Sequence, residues 1–130
     1  MIIVDASVAI ELLLQTQSAK TIKARLSVPG ETLHAPHLLD MEVAHVLRRY
    51  VMLGEIDSER GQIALVDFSN MRIRKYAHTF LLSRIWRLRN NLSAYDAVYV
   101  ALAEALDAPL LTRDRRIANA AGHGALIEVV

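Results

Sequence analysis

The 130-residue chain contains no cysteine. Disulfides, thiolate zinc sites, iron–sulfur clusters and cysteine nucleophiles are therefore excluded. Only five glycines and three prolines are present, and they form no Gly-x-Gly-x-x-Gly or Gly-x4-Gly-Lys-Ser/Thr loop to cradle a phosphate. A Gly-x-Ser-x-Gly nucleophile elbow is also missing. None of the five histidines has the H-x3-H spacing that puts two imidazoles on one helix face. No apolar run approaches the ~20 residues that cross a bilayer. Nor does the N-terminus pair a basic segment with a long apolar stretch, so we expect no signal peptide, no membrane partner and a cytoplasmic location.

What is present suits a folded domain. Hydrophobic residues make up 53% and charged residues 22%, which is too apolar and too weakly charged for a disordered chain. The length predicts a single domain over residues 1–130. Net charge is 15 − 14 = +1, but the charge is uneven. Residues 1–71 carry 6 basic and 9 acidic side chains, and residues 72–116 carry 9 basic and 4 acidic ones. Arginine outnumbers lysine 12 to 3, a bias that suits bidentate phosphate contacts as well as it suits a solvated surface.

Apolar runs ending in turn signals alternate with helical periodicity along the chain. Met1–Val4, Thr32–Ala35, Ile73–Ala77, Leu110–Thr112 and Leu126–Val129 read as short strands. Helices are expected over Ala6–Leu14, Ser18–Leu26, His37–Leu53, residues 58–70, Phe80–Arg89, Ala94–Leu106 and Arg115–Ala121. In the helix over 58–70, Ile63, Val66 and Ala64 are expected to face inward. The helix from Ala94 is apolar on nearly every side and should be central. Strands alternating with helices predict an α/β fold with a parallel sheet covered on both faces.

Four carboxylates sit where a solvated acid does not belong. Asp5 follows Ile-Ile-Val at the end of the first strand, and Asp114 follows Leu-Leu-Thr-Arg at the end of another. Glu42 borders an apolar stripe near the start of its helix. Asp96 is the only charge between Leu92 and Ala103. In a parallel βα arrangement, strand ends and the following helix starts share one sheet edge, where ligands bind. Each acid alone can be a helix cap or a rim residue. Together they form an anionic cluster whose repulsion a hard divalent cation, Mg2+ or Mn2+, would relieve. Ser7 and Thr112 flank the acids and can hold a carboxylate or a water. His45, three residues from Glu42, can face the site, and Trp86 beside Arg87 can stack on a base or serve the core or a dimer interface.

Val4-Asp5-Ala6-Ser7, Pro36-x5-Glu42, Leu92-Ser93-Ala94-Tyr95-Asp96-Ala97-x-Tyr99-x-Ala101-Leu102-Ala103 and Leu111-Thr112-x-Asp114-x2-Ile117 resemble, in order and over the whole chain, the PIN-domain ribonucleases, and among them the VapC toxins of toxin–antitoxin pairs. The resemblance implies a PIN-like three-layer sandwich around a five-stranded parallel sheet. It further implies Mg2+- or Mn2+-dependent endoribonuclease activity on transfer or ribosomal RNA that inhibits translation, a homodimer and a VapB-type antitoxin. The family's acids map onto Asp5, Glu42, Asp96 and Asp114. On this reading Asp5 and Asp96 are the main metal ligands. Glu42 acts through water or orients the nucleophile, and Asp114 completes the cluster or holds a second ion. Arg113, Arg115 and Arg116 would hold the RNA backbone. His45 stands where the family often has Asn. The competing expectation is a catalytically inactive PIN-like module that binds protein or RNA. A structure-specific DNA nuclease is disfavoured by the lack of long insertions. An antitoxin tail is expected to lay an apolar helix along Leu12, Leu13 and Val43–Met52 and to push a cation among the acids.

Overall fold

The computed structural model describes residues 1–130. Three strands are buried and mostly apolar, with His34 and Thr112 as their polar residues, because they lie inside a covered parallel sheet where strict alternation has no purpose. β1 (Ile2–Val4) and β4 (Leu110–Thr112) are buried at every residue, and β2 (Leu33–Pro36) is nearly so. β3 (Ile73–Tyr76) and β5 (Ile127–Val129) are half-exposed, as edge strands are. All pairings are parallel, in the order β3-β2-β1-β4-β5. Thus β1 is central, and all five carboxyl ends point to one edge.

The helices are α1 (Ala6–Leu14), α2 (Ala19–Leu26), α3 (Leu38–Met52), α4 (Ser58–Asn70), α5 (Leu82–Arg87), α6 (Ala94–Leu106) and α7 (Arg115–Asn119), with a 3-10 turn over Thr79–Leu81. α1 packs on α2, α3 and α4, and α3 reaches β2. α6 lies along β1, β2 and β4 beside α5. These two sets are the outer layers of an α/β/α sandwich around a core cluster of 28 buried residues. Each buried aliphatic side chain contributes about 1.5–3 kcal/mol relative to exposure.

The expected elements are present, with boundaries shifted by one or two residues and three differences of substance. The helix expected over Phe80–Arg89 begins as the 3-10 turn, and no side chain caps it. Ile63 and Val66 do not face inward; they are 47% and 53% exposed, while Ala64 is fully buried and Phe68 nearly so. α4 is rotated because its small residues are what α3 accepts: a Cβ on Gly61 would meet Val51 Cγ2 at 2.7 Å. Leu13, Val43 and Leu47, among the candidates for a docking groove, serve the core instead. Helix α6 is as central as its composition predicts, with every residue from Ala97 to Ala103 buried.

Candidate active site

The carboxyl edge of the sheet collects the acids by the route the chain direction dictates. Asp5 leaves β1 and caps α1, accepting from the Val8 amide at 3.1 Å. Only 7% of it is exposed. Ser7 Oγ donates to its Oδ1 at 2.6 Å and Thr112 Oγ1 donates to its Oδ2 at 2.5 Å. Both hydroxyls also accept from the loop after β4: Ser7 from the Arg113 amide at 3.0 Å, Thr112 from the Asp114 amide at 3.0 Å. Two hydroxyl relays therefore lock Asp5 to the end of the neighbouring strand, 107 residues away in sequence. Burial drives the Asp5 carboxyl above its usual 3.8, although these hydrogen bonds pull the other way.

Glu42, on the first turns of α3, is half-buried. Tyr99 Oη donates to its Oε1 at 2.5 Å. Burial raises the Glu42 pKa, and the charges of Asp5 and Asp96 raise it further against the Tyr99 bond. Tyr99 itself is 2% exposed. Burial, then Glu42, Asp5 and Asp96, hold its phenol protonated far above the normal range. Asp96 sits in the first turn of α6, whose start Ser93 caps by accepting from the Asp96 amide at 3.2 Å. Asp5, Glu42 and Asp96 thus form one electrostatic unit. None of the three has a basic side chain within 4.0 Å.

Asp114 differs. It caps α7 and takes a two-toothed ion pair from Arg116, whose Nη2 is 2.5 Å from Oδ2. Arg116 holds the Asp114 carboxyl below its usual range. Arg116 also lies in the field of Asp96. Arg113 pairs with Glu11 at 3.4 Å, and Arg115 is solvent-exposed. His45 is exposed and shares a groove wall with Glu42.

The donor set consists of hard oxygen ligands with uncompensated negative charge, which suits a divalent cation of the Mg2+ class. No three Asp, Glu or His side chains converge tightly enough to enclose an ion by themselves, so part of any coordination shell would be water or substrate. Tyr99 escaped the sequence reading as a site residue. Its signal was there: it follows Asp96 by three residues, on the same helix face, as the hydroxyl in an otherwise apolar run.

Residues 2–123 match the PIN domain. The chain belongs to the PIN-domain family. Ribonuclease VapC12 of Mycobacterium tuberculosis is 39% identical over 130 residues, spanning 100% of this chain and 99% of that protein. Ribonuclease VapC1 of the same organism is 42% identical over 129 residues, 98% of this chain and 96% of that protein. Among solved structures, Mycobacterium tuberculosis VapC20, described as a sarcin-ricin loop cleaving toxin, superposes with a TM-score of 0.71 at 16% identity, covering 95% of this chain and 97% of that one. VapBC2 from Rickettsia felis, bound to a DNA fragment from its promoter, gives 0.72 at 14% identity, with 99% and 98% covered. At those identities the structural likeness speaks for the fold.

Proposed function

We propose that this chain is a VapC-type ribonuclease, the toxin of a toxin–antitoxin pair, acting as a single nuclease domain over residues 1–130. The observation that carries the reading is the trio Asp5, Glu42 and Asp96, gathered at the carboxyl edge without a cation of its own. Folding keeps buried charges unpaired only at a cost, and a bound ion offsets that cost.

Asp5 and Asp96 would hold Mg2+ or Mn2+, with Glu42 reaching it through water and Asp114 available once Arg116 releases it. The ion, when bound, supplies positive charge for the phosphodiester oxygens and acidifies a coordinated water. The chain does the rest. Ser7 and Thr112 fix both oxygens of Asp5. Tyr99 occupies one oxygen of Glu42 and leaves the other to accept a proton or orient the attacking water. Arg113, Arg115 and Arg116 flank the acids and hold backbone phosphates.

RNA, with transfer or ribosomal RNA as the target, is the substrate on this reading. A VapB-type antitoxin is the inhibitor, its tail supplying an Arg or Lys to the acids. The working state is a cytoplasmic homodimer. Exposed Phe80, Leu82 and Trp86 are apolar surface of the kind such an interface consumes. The test is cleavage of total RNA by the purified protein. Chelation should abolish it, and Mg2+ or Mn2+ should restore it. Undiminished cleavage after exhaustive chelation overturns the metal assignment.

A further inference from the structure

A groove of about 690 Å³ opens beside the acids. It runs between the start of α6 and the outward face of α3. Leu38, Met41, His45, Arg48 and Tyr95 line it, and Glu42 forms the wall it shares with the acid trio. Met41 and Tyr95 are 67% and 65% exposed. Each directly precedes an acid of the site: Met41 before Glu42, Tyr95 before Asp96. The fold therefore presents two large, exposed, apolar side chains at the rim of a polyanionic centre, on elements whose next residues are fixed by that centre.

Strand order gives the groove a direction. Across the carboxyl edge, β2 with α3 lies on one side of Asp5, and β4 with Asp114, Arg115 and Arg116 lies on the other. One flank of the acids is a row of arginines. The other is an apolar groove with an aromatic ring and two basic side chains, His45 and Arg48. A phosphodiester held at the acids would extend one way toward a phosphate on the arginine flank and the other way toward a nucleoside over the groove. A ring for stacking, cations nearby and no buried polar partner to select one base edge is the composition of a sequence-tolerant stacking platform. The volume, within the usual range of ~300–1,000 Å³ for ligand pockets, is ample for a single base and sugar.

We propose that this groove is the nucleobase subsite adjoining the cleaved bond: one base of single-stranded RNA stacks on Tyr95 against Met41, while Arg48 takes the following phosphate. The subsite rests on the ribonuclease reading for the position of the cut. It makes Tyr95 a substrate-binding residue, and it makes the strand polarity of recognition asymmetric about the acids.

The test uses the full chain and fluorescein-labelled hexauridylate and hexaadenylate. Each oligonucleotide is used intact or with one abasic residue scanned through the six positions. Cleavage is followed with the wild type, and binding by fluorescence polarisation with the Asp5→Asn protein, alone and combined with Tyr95→Ala, Tyr95→Phe or Met41→Ala. Tyr95 is exposed, so its truncation leaves the core intact. Tyr95→Ala should raise KM and the dissociation constant about tenfold with kcat within about twofold, and Tyr95→Phe should restore both. One abasic position should cost the parent protein the same factor and cost Tyr95→Ala nothing more.

A Tyr95→Ala protein that binds the intact oligonucleotides as tightly as the parent protein overturns the subsite. So does a Tyr95→Ala protein whose self-association or antitoxin binding falls while RNA binding stands, because the groove is then a protein interface. The two readings fail separately. Oligonucleotides that bind but are never cut, with the Tyr95 effect intact, support the subsite and count against turnover. Cleavage with an unchanged KM does the reverse.

Discussion

Two groups of carboxylates in this molecule meet opposite fates. Glu104 on α6 and Glu128 on β5 each accept two hydrogen bonds from one guanidinium. Arg84 binds Glu104 at 2.6 and 2.9 Å, and Arg25 binds Glu128 at the same distances. Their partners hold both pKa values low. Asp5 and Glu42 have no cation, and burial holds theirs high. Glu104 and Asp96 even share a helix, two turns apart. The same side-chain chemistry serves as a staple at one end of α6 and as an incomplete site at the other. The deciding factor is whether the fold supplies the counter-charge or leaves it to a ligand.

The largest effect should come from exchanging the roles of these two groups. Asp96→Asn should lower RNA cleavage by ~10³-fold or more with the fold intact, since it removes charge from the proposed ion site. Glu104→Gln should leave cleavage within about twofold. Initial rates on one RNA substrate, with circular dichroism as the folding control, decide this. A folded, fully active Asp96→Asn protein would sink the site assignment.

Tyr99→Phe sharpens the comparison within the site. It deletes the one neutral donor that holds Glu42, at nearly constant volume. We predict a loss of about tenfold in kcat, in line with a buried hydrogen bond to a charged group. The substitution should have no further effect in a Glu42→Gln background. If the two losses simply multiply, Tyr99 is only a packing residue.

Stability should move in opposite directions in the two groups. Arg84→Met should cost about 1 kcal/mol at neutral pH, because the partly buried pair is two-toothed and also fastens the Gly122 carbonyl and, through Glu104, the Gly124 amide. The folded-state pKa of Glu104 is depressed. Its stabilisation is therefore fully present above the ordinary 4.5 and is lost as pH falls through the lower folded value. Denaturant melts across pH 2–7 would expose a flat profile as contradiction.

The smallest effect is a gain. The folded-state pKa of Asp5 is raised, so the native state binds more protons than the unfolded chain between 3.8 and that raised value. Stability without divalent ions then falls as pH rises through this window. Asp5→Asn should recover about 1 kcal/mol at pH 7.5 and less at pH 4, offset in part by imperfect hydrogen bonding to Ser7 and Thr112. Mg2+ should raise the wild-type midpoint and leave the variant's unmoved. Calorimetric melts with and without Mg2+ measure both.

Local sequence carried most of the architecture. Ile-Ile-Val before Asp5 and the apolar run from Ala97 to Ala103 each suit only one environment, so strand, central helix and the edge holding the acids are legible in the sequence itself. The rotation of α4 was not. Ile63 and Val66 satisfy an amphipathic pattern as well as Ala64 and Phe68 do, and only the close approach to Val51 at Gly61 chooses between them. Likewise Asp5, Glu42, Asp96 and Asp114 looked alike as residues in odd places.

The sequence by itself determined which acids reach the carboxyl edge, because chain direction in a parallel sheet sends each strand end and following helix start there. Tertiary structure alone decided how they divide. Tyr99 meets Glu42 across 57 residues and Thr112 meets Asp5 across 107, whereas the Arg116–Asp114 pair, two residues apart, is the local contact among the three. Protonation and counter-charge depend on burial and on neighbours brought from far along the chain, and local propensity and spacing encode neither.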